Sequence, residues 1–257
     1  MLTTNKYLFL FLFAFIAIAS IFYLKCYESF SSASKNYLYT AVMIEPREHP
    51  AFEFVMTNFL QNLNDDWGFV IFHGTKNKEY VTNIINTQLS KYKDRITLKQ
   101  LNVDNLTVPN YSKLVASKDF YKDIPTETFL IFQTDSLICE EHKDLINNFI
   151  KYDYVGAPWI NGGVGNGGLS IRKKTKMLEI INKCPYDGTP EDIYFSECPS
   201  VYLYKPSFEK SKTFSVENVY NEVSFGIHKP WLLLNKEQLS VKNKRCKGLY
   251  KLKQLNS

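Results

Sequence analysis

Phe129-Leu130-Ile131-Phe132-Gln133-Thr134-Asp135-Ser136 runs from four consecutive apolar side chains straight into four polar ones. An apolar run without alternation suits a strand buried on both faces, as parallel strands of α/β proteins are. Outward from it the pattern repeats. Strands are expected over 37–44, 67–72 and 96–101, and helical spacing over 50–63, 78–89, 111–120 and 142–150. Such alternation builds a mostly parallel sheet flanked by helices, whose ligands bind beyond the carboxyl ends of the strands. The polar residues just after strands, Asp135 first among them, are where a site belongs. After 150 the chain is punctuated by Gly156-Ala157-Pro158-Trp159 and by the glycines of 161–168. Loops and shorter elements are expected there, beside the first sheet.

Bulk properties bound the answer. Of 257 residues, those at 7–24 (YLFLFLFAFIAIASIFYL) are uncharged and almost wholly apolar, with Lys6 and Lys25 as flanks. At a helical rise they span roughly 27 Å, close to a bilayer's hydrocarbon thickness. They read as an uncleaved signal anchor after a short tail at 1–6 and before a Ser-rich stem at 25–36. This is the layout of a single-pass, type II membrane protein, lumenal or virion-associated. The rest, about 220 residues, suffices for one well-buried domain, placed at 37–235. The net charge of +5 comes from the carboxyl-terminal segment. Lys236, Lys242, Lys244, Arg245, Lys247, Lys251 and Lys253 against Glu237 give 236–253 a charge of +6 and leave −1 elsewhere. A near-neutral body excludes a nucleic-acid-binding surface. The segment 236–257 reads as a solvated basic tail. Five cysteines, at 26, 139, 184, 198 and 246, form no CxxC pair, which argues against structural zinc. A Cys184–Cys198 bridge is open to a lumenal domain.

Several motifs bear on chemistry. Gly163-Val164-Gly165-Asn166-Gly167-Gly168 fits GxGxxG, but a dinucleotide site needs it between a first strand and its helix, and here a strand-like run comes next. Its glycines instead allow a tight turn or close approach of backbone to a ligand. No GxxxxGK[ST] occurs, which disfavours phosphoryl transfer. Asp135, at a strand end, either caps the next helix or offers a hard oxygen to a divalent cation on a diphosphate. Glu191-Asp192 opens a helix, where a carboxylate compensates the dipole or serves as a general base. Adjacent helical residues point about 100° apart, so one of the two faces a reaction centre. His228, between Gly226-Ile227 and Lys229-Pro230-Trp231, is a structural histidine or, beside Asp135, a second metal ligand.

At these residues the sequence resembles the domain of unknown function 5672 family, glycosyltransferase-like proteins met in large DNA viruses and some cellular organisms. The matching pieces are 45–49, Ile71-Phe72-His73-Gly74 with Asn77, 129–136, Tyr152-Asp153-Tyr154-Val155-Gly156-Ala157-Pro158-Trp159, 164–172 and 191–195. They span 39–231, nearly the whole body. The resemblance implies a GT-A-type α/β fold and a nucleotide diphospho-sugar donor. It implies a glycan, protein or lipid acceptor and Mn²⁺ or Mg²⁺ as cofactor. It assigns Asp135 and His228 to the metal, and Asp192 with Glu191 as second choice to the base, with inversion at the anomeric carbon. Glu45, Arg47, His73, Gly74, Asn77, Thr134 and Ser136 are expected near the nucleotide. Trp159, Asn166, Gly167, Gly168 and Ser170 are expected near the donor sugar and acceptor. Gln133 stands where such enzymes carry the first Asp of their DxD motif. That departure keeps a second reading open, a catalytically inactive glycan-binding or structural membrane protein of a virion.

Overall fold

In the computed structural model the central strand β1 (Tyr39–Ile44) pairs in parallel with both β2 (Trp67–His73) and β4 (Thr128–Phe132), while β2 pairs in parallel with β3 (Ile96–Gln100). Every residue of β2 and β4 is buried, as a sheet covered on both faces requires. The side chains alternate between two cores. Ala41, Met43, Phe69, Ile71, Leu130 and Phe132 join one, and Val42, Ile44, Val70, Phe72, Phe129 and Ile131 the other. The helix Phe52–Asn62 lays Phe52, Val55, Met56, Phe59 and Leu60 on the first core, an apolar stripe at helical spacing. Phe59 stacks on Phe132 there, ring centres 3.9 Å apart.

The structure describes residues 36–257, of which Tyr37–Ser257 form one compact unit. The anchor expected at 7–24 and the stem, apart from Asn36, lie outside the described residues. Among the described residues no helix is long and apolar enough to cross a membrane.

β5 (Ser136–Ile138) leaves the main sheet immediately after β4. The main sheet is completed by β6 (Tyr154–Val155) and β7 (Leu169–Lys173), giving the order β3-β2-β1-β4-β7-β6. β7 runs antiparallel to both β4 and β6, so the sheet is mixed rather than wholly parallel. β8 (Ser215–Val216) and β9 (Gly226–His228) join β5 in a second sheet, ordered β5-β9-β8. Asp135 therefore sits at the switch from one sheet to the other. Ser136 pairs directly with His228.

Two expectations are corrected. The segment at 142–150 is a 3₁₀ turn system, Glu140–Asn148, kinked at His142. The segment 236–257 is no solvated tail. It forms the helices Lys236–Arg245 and Leu249–Leu255, and Leu239, Cys246, Leu249 and Leu252 enter the first core. Its lysines misled because their charge masked an apolar face at 239, 246, 249 and 252. A disulfide between Cys139 and Cys246 ties these helices to the end of β5, and Cys184 bridges Cys198. The first bridge carried no signal in sequence; its members lie 107 residues apart.

Candidate active site

A cleft of about 460 Å³ opens at the carboxyl ends of β1 and β4. Its floor is made by the residues just past those strands, Glu45, Pro46 and Arg47 after β1 and Gln133, Thr134 and Asp135 after β4. The Asn166–Gly168 turn, Glu191-Asp192 and His228-Lys229 close it.

Asp135 and His228 meet at its centre. The paired strands β5 and β9 bring His228 Nε2 to 3.1 Å from Asp135 Oδ1. On the other side of the ring, Nδ1 is 2.9 Å from Asn166 Oδ1 and 3.2 Å from Glu217 Oε1. Two oxygen acceptors there hold the proton on Nδ1 and turn the Nε2 position toward Asp135. Asp135 Oδ1 and His228 Nε2 are buried and, though close, make no well-aligned hydrogen bond. Two electron-pair donors facing each other this closely require a cation between them, either a proton or a metal. The protonated alternative is visible in the electrostatics. Burial alone pulls the imidazolium down, but Asp135 and then Glu217 outweigh it and hold the His228 pKa up at about 9. Burial pushes the Asp135 carboxyl up, yet His228 and Lys229 bring it below its ordinary value. The ring packs close against Gly168, where a Cβ would fall on its atoms.

The acidic pair divides its labour. Glu191 is buried and grips Arg172 with two bonds, 2.6 and 3.1 Å. Arg172, on β7, is wholly buried, its guanidinium 4.9 Å from the Tyr154 ring and 5.6 Å from that of Phe195. Burial would favour its neutral form, but the Glu191 carboxylate outweighs this and keeps the guanidinium charged. Both oxygens of Glu191 are thus engaged. Asp192 is only half-buried and lines the cleft, its Oδ2 accepting from the Gly167 N–H at 3.4 Å. A Cβ on Gly167 would collide with Glu191 and lie 3.1 Å from Asp192 Cβ, so glycine there lets the turn seat against both acids.

The expected nucleotide residues fall into two groups. Glu45, Arg47 and Thr134 line the cleft. Glu45 binds the Arg47 guanidinium through both oxygens, each at 2.8 Å, and Thr134 Oγ1 reaches Glu45 at 3.5 Å. His73, Gly74 and Asn77 stand behind that loop instead. Asn77 donates to the carbonyls of Glu45 and Arg47 at 2.9 and 2.8 Å and accepts from the Gly74 N–H, and His73 Nδ1 lies 2.7 Å from the Gly74 carbonyl. They shape the cleft wall without facing it. Ser136 and Ser170 are likewise buried beneath the floor, bonded to the carbonyls of Gly168 and Gly167. Asn166, Gly167 and Gly168 line the cleft, whereas Trp159 lines a neighbouring groove.

Other residues of the cleft were not singled out from sequence. Lys229 is the one non-glycine among the described residues with a positive φ, 34°, and its N–H donates to the Asp135 carbonyl. Asn256, from the last helix, donates to the Thr134 carbonyl at 3.0 Å. Tyr111 and Ser112 approach from the helix Val108–Val115, and the Ser112 hydroxyl accepts from the Glu191 N–H. Glu217 touches His228 from β8's end. Only Lys229, adjacent to His228, carried a signal in sequence. The others reach the site through tertiary packing.

A mixed, mostly parallel α/β sheet with an acid–imidazole pair at its strand ends defines the class of protein. The family model described as protein of unknown function (DUF5672) matches residues 95–228, and the chain belongs to that family. No curated protein matches. Among solved structures, HddC from Yersinia pseudotuberculosis is similar at a TM-score of 0.45 with 13% identity, over 81% of this chain and 98% of that one. The same protein complexed with GMP-PN gives 0.45 and 12% identity, over 80% and 99%.

Proposed function

We propose that this chain is a membrane-anchored glycosyltransferase of the GT-A type that moves a sugar from a nucleotide diphospho-sugar to an acceptor hydroxyl. The observation that carries the reading is the facing pair of Asp135 Oδ1 and His228 Nε2, 3.1 Å apart and without an aligned hydrogen bond, in a cleft that also presents the half-buried Asp192. Among the described residues no three acidic, histidine or cysteine side chains are gathered to hold a metal. A cation held by Asp135 and His228 would therefore draw its remaining ligands from substrate oxygens and water. Bound there, Mn²⁺ or Mg²⁺ supplies positive charge to the departing diphosphate.

The chain's own residues do the rest. Asp192 takes the proton of the acceptor hydroxyl as its oxygen bonds to the anomeric carbon and the bond from that carbon to the diphosphate oxygen breaks. Attack from the face opposite the leaving group inverts the anomeric centre. Glu191, engaged by Arg172, positions the helix that carries Asp192. Glu45 fixes Arg47 at the nucleotide end of the cleft. Two disulfides suit a body in an oxidising lumen, as a type II orientation places it.

The test is a thermal-shift screen of the full chain in detergent against UDP-, GDP- and CDP-sugars, with Mn²⁺ and with chelator. At a hundredfold excess over the dissociation constant, a bound donor adds about 2.7 kcal/mol, roughly 5–10 °C for a body of this size. A metal-dependent shift with one nucleotide class, lost in Asp135→Ala, is expected. No shift with any nucleotide sugar overturns the reading in favour of a glycan-binding or structural protein.

A further inference from the structure

We propose that the groove beside Trp159 is the acceptor subsite and that the acceptor is a neutral glycan, an inference resting on the transferase reading of the adjoining cleft. Trp159, Ile160, Asn161, Ile193 and Glu197 line a groove of about 470 Å³. It is built rather than incidental. The Pro158↔Val164 bridge closes a hairpin, and Trp159 N–H donates to the Gly163 carbonyl at 2.9 Å. Gly162 takes the turn with φ 98°. At Gly163 a Cβ would lie 2.6 Å from the Trp159 ring and 3.5 Å from Glu197 Oε1, so glycine lets indole and carboxylate converge on one spot. The hairpin thus holds a large aromatic partly exposed, flanked by Ile160 at 72% and Ile193 at 41% exposure.

A partly exposed aromatic ring beside a carboxylate and an amide is the chemistry that receives a sugar ring. The ring's apolar C–H face packs on the indole, and its hydroxyls bond the Glu197 and Asn161 side chains. The lining carries one carboxylate and no cation, which disfavours phosphorylated or acidic glycans and lipid phosphates. The groove lies beside the reaction cleft, along the same short helix Glu191–Ser196. Asp192 lines the cleft, and Ile193, the next residue, lines the groove. Gly163 abuts Trp159 and Glu197 while Gly167 abuts Asp192. Glu197 stands five residues along the helix from Asp192, about 7.5 Å at a helical rise, so a sugar on Trp159 lies about one ring's length from the Asp192 side. The Cys184–Cys198 bridge fixes the chain immediately after Glu197 to the end of the helix Lys174–Lys183.

The experiment applies the full chain in detergent to a printed array of neutral and acidic oligosaccharides, for wild type, Trp159→Ala and Glu197→Gln. Nucleotide-sugar binding is measured on the same preparations. Wild type should retain a set of neutral glycans, and each variant should lose that retention by roughly tenfold. The Glu197 side chain is exposed, so its variant keeps the test decisive should Trp159→Ala misfold. Wild type binding no glycan, selective retention of acidic glycans, or variants that bind as wild type overturn the proposal. Nucleotide binding without glycan binding overturns the acceptor class while the transferase reading stands. Glycan binding without nucleotide binding overturns the acceptor role and the transferase reading with it.

Discussion

A methyl group on Gly168 would sit on the His228 ring, so the ring must swing away from Asp135 or the turn must rise off the sheet. Either motion separates Asp135 from His228, the two groups proposed to share a cation. Gly168→Ala should therefore lower donor affinity by at least about tenfold. The strain, of order 1–3 kcal/mol, should lower the melting temperature by roughly 2–12 °C. Calorimetric titration with the donor, alongside a melting curve, separates the two effects; unchanged affinity would show that His228 takes no part in binding. Asp192 and Glu191 differ in the same way between chemistry and architecture. Asp192→Asn keeps the side chain's shape and removes its basicity, so turnover should fall by about 10²–10⁴ with donor affinity nearly intact. Transfer at the wild-type rate would exclude Asp192 as the base. Glu191→Gln should instead act on the fold. It leaves the wholly buried Arg172 charge without its counterion, a loss of about 3–5 kcal/mol by urea unfolding. Arg172→Met combined with Glu191→Met should recover much of that loss, because no lone charge remains buried.

Elements show which parts of the molecule could be read in advance. The runs Phe129–Phe132, 37–44 and 67–72 were legible because strands buried on both faces carry almost no polar positions, whereas 96–101, at the sheet's edge, shows itself by alternation of Ile96 and Leu98 with Thr97 and Lys99. Their order in the chain alternates with helices whose apolar stripes are equally plain, as at Phe52, Val55, Met56, Phe59 and Leu60. Asp135 was legible for the same reason, being the first charged residue after such a run. The second sheet was not, since β5, β8 and β9 are two or three residues long and carry no periodicity. Without that sheet, Glu217 and Asn166 had no visible connection to His228. The closing helices were misread because six of the eight charges in 236–253 are lysines, and charge density outweighed the sparse apolar positions. Their packing makes a prediction at this scale. Asn256 donates to the Thr134 carbonyl from the end of the helix Leu249–Leu255. Ending the chain after Lys247 removes that contact together with the buried Leu249 and Leu252. The truncated protein should melt lower and bind donor more weakly, whereas Asn256→Ala alone should affect mainly donor binding. Melting and titration of the two variants, side by side, check the distinction.

For the whole molecule the two disulfides are not equivalent. Cys139–Cys246 closes a loop of 107 residues and Cys184–Cys198 one of 14. The chain-entropy account assigns about 4.7 kcal/mol to a loop near the first length and about 3 kcal/mol to one near the second. Reduction should thus lower the melting temperature by roughly 10–20 °C through the first bridge and 6–12 °C through the second. Function separates them further. Opening Cys139–Cys246 releases the helices that bring Asn256 to the floor of the cleft, so on the proposed function Cys246→Ser should weaken nucleotide-sugar binding as well as stability. Opening Cys184–Cys198 loosens only the wall behind Glu197, so Cys198→Ser should weaken acceptor use and leave donor titration close to wild type. Scanning calorimetry with and without reductant gives the stabilities, and donor titration with acceptor kinetics gives the division of function. Equal donor affinity in wild type and Cys246→Ser would show that the closing helices hold the fold together without shaping the cleft.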